Sequence, residues 1–127
     1  MAITYSPAAA ALRDKMLRKQ LWVVITKAVA PPQDLSQLLE AHLQHQIRLE
    51  KDGILFGAGP LTHADGSPTG TGMIIIRAES EADARRIADQ DPFHNSGLRT
   101  YTLQRWSLNE GRIMLTIDFS DQSYRLV

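Results

Sequence analysis

The chain has 127 residues, 43% of them apolar and 22% charged, which fits one globular domain with one core. Fourteen basic residues balance fourteen acidic ones, so no net field draws nucleic acid or an anionic membrane to it. With no cysteine, disulfides, zinc–thiolate sites and thiol nucleophiles are excluded. No apolar run approaches the roughly 20 residues that span a bilayer, and the expected location is cytoplasmic.

In chain order, the alanines at 8–11 precede Arg13, Lys15, Arg18 and Lys19. A secretory signal has the opposite order, so this stretch reads as a short surface helix, with an organellar leader as the alternative. Leu21–Thr26 is an apolar, β-branched strand, ended by Pro31-Pro32. Asp34 with Gln37 forms a capping box that opens a helix running to about Asp52, where Gly53 stops it. Ile54–Ala58 is a short strand closed by Gly59-Pro60, and 62–72 is a hairpin loop. Met73–Arg77 is a third strand. Ser80 with Asp83 caps a second helix, which ends at Asp91-Pro92. Thr100–Trp106 is the fourth strand. Arg112–Phe119 alternates Ile113, Leu115, Ile117 and Phe119 as a half-buried strand, and Ser123–Val127 completes a C-terminal hairpin.

The order is βαββαβ, the ferredoxin-like α+β unit, whose helices cover one face of an antiparallel sheet. The other face calls for a cover, for which a second subunit is the usual answer. One domain is expected over 1–127, with a core at about 20–108 and an extension at 109–127.

Two polar residues stand where apolar ones belong. At about 100° per residue, Leu35, Leu38, Leu39, Leu43 and Leu49 define the core stripe of the first long helix. His42 falls at its centre, Gln46 one turn further along, and His45 at its margin. On the second helix Ala84, Ile87 and Ala88 form the stripe, which projects onto Asp91. Asp91 there meets the unfavourable end of the helix dipole and needs a partner. His42 is the candidate, oriented by Asp91 and left with one ring nitrogen for proton transfer.

Other constellations carry less. His42 and His45 are spaced for a shared metal, but no carboxylate completes the set, so neither a metal nor another cofactor is expected. Gly57-Ala58-Gly59 lacks the context of a phosphate loop and reads as a close turn between strands. No nucleophile elbow accompanies Ser96, which instead offers a pocket-lining hydroxyl. Arg99, Arg105 and Trp106 could supply an anion-binding or stacking wall, but a solvated Arg99 and a packed Trp106 are the default reading.

Ala41-His42-Leu43, Gly53, Gly57-Ala58-Gly59-Pro60-Leu61, Asp91-Pro92-Phe93 and Gly97-Leu98, taken in order, resemble the YCII-like family over roughly residues 20–108. The resemblance implies a dimeric α+β barrel and an active site of one histidine and one aspartate, at His42 and Asp91. It also implies a fold like that of the muconolactone isomerases, in a family that includes a dehydrochlorinase of chlorinated hydroxyhydroquinones. The expectation is a homodimer acting as an isomerase or lyase on a small cyclic or aromatic-derived molecule. Gln46, Phe93, Ser96, Gly59 and Pro60 would line the substrate site. The alternative is a non-catalytic ligand-binding or accessory module in which the pair is a structural lock. That lock would satisfy both imidazole nitrogens and leave no cavity.

Overall fold

The computed structural model describes residues 2–127. Its contacts divide the chain into two compact units, Gln20–Trp106 and a smaller one made of the N-terminal segment up to Lys19 with Ser107–Val127.

The larger unit contains β1 (Lys19–Ala28), α2 (Pro32–Lys51), β2 (Leu55–Thr62), β3 (Pro68–Ile76), α3 (Glu81–Asp89), a short α4 (Pro92–Asn95) and β4 (Arg99–Leu108), β1 and β4 each running slightly past its bounds. The strands form one sheet in the order β2-β3-β1-β4, with β3 antiparallel to both β1 and β2. This is the ferredoxin-like α+β arrangement expected from the sequence.

Strand alternation sorts the sheet into two faces. Trp22, Val24 and Thr26 stand opposite Ile76, Ile74 and Gly72 on one face. Val24, Ile74 and Ile76 pack there with Leu49 of α2 and Ala84, Ile87 and Ala88 of α3, so this is the helix-covered core.

Several local expectations are corrected. The first long helix has no capping box: Pro31 is its N-cap and Pro32 opens it, because proline is preset for the first helical position. Its C-terminal stop holds, with Gly53 at φ 75°, which a side chain would resist. The hairpin strands are longer than predicted. The β2 strand runs through Pro60 to Thr62, since an edge strand tolerates a proline that donates nothing to the ladder. Gly57-Ala58-Gly59 therefore lies within a strand, not a turn.

The largest correction concerns α2. Its buried positions are His45, Gln46 and Leu49, whereas Leu39 and Leu43 are exposed together with Ile47. The helix is rotated relative to the predicted stripe. The reason lies across from it: the Pro60–Gly72–Thr26 row and Ala58 offer the sheet little side-chain bulk, so nothing fills in beneath Leu39 and Leu43.

In the smaller unit α1 (Pro7–Asp14) is capped by Ser6, whose hydroxyl accepts from the Ala9 N–H, and none of its residues is buried. Strands β5 (Leu115–Asp118) and β6 (Ser123–Leu126) pair antiparallel. Ile113, Leu115, Ile117 and Phe119 are exposed, not half-buried: a two-stranded ribbon alone has no second layer for its apolar side. No helix among the described residues is long and apolar enough to cross a membrane.

Candidate functional site

Asp91 ends the second long helix, as its Asp-Pro step requires, but the electrostatics differ from expectation. The C-cap of α3 is Gln90, and Asp91 is instead the N-cap of α4, where Oδ1 accepts from the Phe93 N–H at 2.9 Å. The backbone therefore favours its negative charge. Only 3% of Asp91 is exposed. Burial pushes its carboxyl upward, yet the bond from His42, the Phe93 N–H and the nearby positive charge of His42 and His94 outweigh this and hold it below the usual carboxylate range.

The structure brings His42 and Asp91 together. His42 Nδ1 lies 2.9 Å from Oδ1 and 2.8 Å from Oδ2. An ionised carboxylate only accepts, so Nδ1 carries the proton. That fixes the tautomer and leaves Nε2 to gain or lose a proton. Nε2 has no hydrogen-bond partner among the described residues. The ring stacks on Phe93 with centroids 4.5 Å apart.

His42 opens onto a cavity of ≈ 670 Å³ between α2 and strands β2 and β3, within the usual range for small-molecule sites. Gln46, Phe93, Gly59 and Pro60 line it. Ser96 does not: its hydroxyl donates to the Phe93 carbonyl and accepts from the Leu98 N–H, closing the end of α4. Leu39, Leu43 and Ile47 form an apolar wall, and Phe56, beside a β-bulge, forms part of another. The floor is backbone at Gly72, where an added Cβ would meet Thr26 Cγ2 at 3.2 Å and the Gly59 carbonyl at 3.4 Å. Gln46 is 8% exposed, and its Oε1 is buried with no protein partner.

Thr26 and His94 are site residues that the sequence does not single out, and Arg99 is one it offers only as the lesser of two readings. Thr26 looks like one more β-branched strand residue, yet its side chain lines the cavity. Arg99 is only partly solvated: it lines the cavity, and burial lowers its basicity while the Asp91 charge opposes that. It donates from Nε to Thr26 Oγ1 at 3.0 Å and from Nη2 to the carbonyls of Thr26 and Gly70. His94 supports both. Its Nδ1 donates to the Ala88 carbonyl at 2.8 Å, and Nε2 lies 2.8 Å from Thr26 Oγ1. Thr26 Oγ1 thus sits between His94 Nε2 and the Arg99 Nε that donates to it. Among the described residues no three His, Asp or Glu side chains are placed to hold a metal ion.

A family model described as the YCII-related domain matches residues 7–107. The chain belongs to this family. Among solved structures, this YCII-related protein is similar to 5-chloro-2-hydroxyhydroquinone dehydrochlorinase (TftG) from Burkholderia phenoliruptrix AC1100, in complex with 2,5-dihydroxybenzoquinone. The two share 24% identity and a TM-score of 0.55, over 68% of this chain and 92% of that one, a likeness of fold. No curated protein matches the chain.

Proposed function

We propose that this YCII-related protein is a small-molecule enzyme that moves a proton at His42 Nε2, with Asp91 orienting the imidazole through Nδ1. The observation that carries the reading is an unbonded imidazole nitrogen on a histidine lining a ≈ 670 Å³ cavity, while its other nitrogen is held by a carboxylate. A structural lock would bond both nitrogens and close the space.

The chemistry that suits such a pair is isomerisation or elimination on a small cyclic or aromatic-derived substrate. As base, Nε2 takes a proton from carbon or oxygen. The electron pair then forms the new double bond, and either a leaving group departs with its electrons or the proton returns elsewhere. The dehydrochlorinase relative and its bound dihydroxybenzoquinone support this class. Apolar walls at Leu39, Leu43 and Phe56 would exclude water, and Gln46 would add a polar amide to the lining. The same reading has the chain working as a homodimer.

The test is a thermal-shift screen of hydroxyquinones and small lactones, followed by turnover assays on the hits. His42→Ala should lower kcat about 10²–10⁴-fold. Asp91→Asn should lower kcat with little change in KM, since binding survives while the tautomer is no longer fixed. Full turnover by a folded His42→Ala variant would end the proposal.

A further inference from the structure

We infer that the substrate carries an anionic oxygen, a carboxylate or an ionised enol or phenol, and that the Arg99 guanidinium binds it; the inference rests on the proposed cavity site and gives its substrate a charge.

Arg99 is a cation that feels the Asp91 charge but makes no ion pair. Its bonds all go to neutral acceptors, the Thr26 hydroxyl and the carbonyls of Thr26 and Gly70. Among the described residues no carboxylate lies within ion-pair distance. Those three bonds occupy Nε and both Nη2 hydrogens, so the two Nη1 hydrogens meet no protein acceptor. A partly buried cation held this way is costly unless something in the site compensates it. Asp91, the nearest buried carboxylate, is committed to His42 and the Phe93 N–H. Glu50 also lines the cavity but is exposed and paired with Lys51.

The guanidinium is also built into place. Thr26 Oγ1 accepts from Arg99 and is itself held at 2.8 Å by Nε2 of His94, whose other ring nitrogen is fixed on the Ala88 carbonyl. Gly72 leaves the room, since a Cβ there would sit 3.9 Å from Nη2 and closer still to Thr26. The Arg99 guanidinium carbon lies 5.8 Å from the centre of the Phe93 ring, which stacks on His42. Phe93 thus links the anion-binding group to the proton-transfer group, and a planar molecule anchored at Arg99 reaches His42 across one ring. An oxygen anion at Arg99 would also hold electron density released when a neighbouring carbon loses its proton.

The test uses the whole chain and two probes of one shape, benzoate and benzamide, titrated at neutral pH and low salt by calorimetry. Benzoate should bind at least about tenfold more tightly than benzamide. Arg99→Gln should erase that preference, Arg99→Lys should keep part of it, and His42→Ala should leave it intact. Equal affinity for the two probes, no benzoate binding at millimolar concentration, or a preference that survives Arg99→Gln would each overturn the inference. If Arg99→Gln does not fold, equal wild-type affinities still overturn the inference, as does an undiminished preference in Arg99→Lys. The wild-type comparison is also independent of turnover, so loss of the proton-transfer reading and loss of the anion site show up in different measurements.

Discussion

One carboxylate, Asp91, serves two partners, the His42 imidazole and the Phe93 N–H, and the two bonds come from different elements. Truncating His42 strips a buried acceptor of its main donor. His42→Ala should therefore destabilise the fold by about 1–3 kcal/mol, read as a lower urea midpoint. The depressed Asp91 carboxyl makes a second prediction. Its folded value lies below the unfolded one, so its stabilisation is fully present above the unfolded value near pH 4 and is lost as pH falls through the lower folded value. Asp91→Asn should flatten this acid limb of the stability curve while lowering the plateau. His42 and Asp91 were legible in the sequence because titratable side chains on apolar stripes are anomalous. Thr26 was not, because a threonine in a strand is unremarkable until the chain folds, and Arg99 was legible only as an anion-binding option behind the default of a solvated arginine.

At the scale of the element, α2 was placed correctly but rotated in the reading. Hydrophobic periodicity alone ranked Leu39 and Leu43 above His45, and periodicity cannot know that the facing strands carry Gly72 and Ala58. Filling that gap should be felt. Gly72→Ala needs Thr26 to shift, so it should cost about 1–3 kcal/mol and weaken ligand binding, measurable as a smaller ligand-induced rise in Tm. Within α2, His45 is 7% exposed, and its Nε2 has no partner. Burial lowers its pKa from 6.5; Asp91 opposes this, while Arg48, His42 and His94 add to it. The unfolded state thus takes up the proton first on acidification. Stability should be full above about pH 6.5, fall below it while the unfolded imidazole protonates and the buried one does not, and level off once the folded imidazole protonates too. His45→Gln should show a smaller drop between neutral pH and about pH 5 in urea titrations.

At the scale of the whole molecule, the βαββαβ order was legible because each strand and helix is bounded by its own signals, such as Ser80, Gly53 and Pro92. The C-terminal segment was less so. Alternation of Ile113, Leu115, Ile117 and Phe119 gives a strand period but says nothing of what covers the apolar side, and these residues are exposed. The proposed homodimer is tested by sedimentation equilibrium at micromolar concentration, where the mass should be twice that of the chain. A monomer at those concentrations would remove that part of the proposal.

The stacked His42 and Phe93 rings have a practical corollary. An aromatic ring at 4.5 Å shields the protons above its face, so the carbon-bound protons of His42 should resonate upfield of their usual frequencies in a proton NMR spectrum. Of the chain's four histidines, His63 lies in an exposed loop, His94 leans on Tyr101 at 45°, and His45 is buried. The four therefore have distinct magnetic surroundings, and the imidazole proposed to do the chemistry can be followed by its own signal, without an added label.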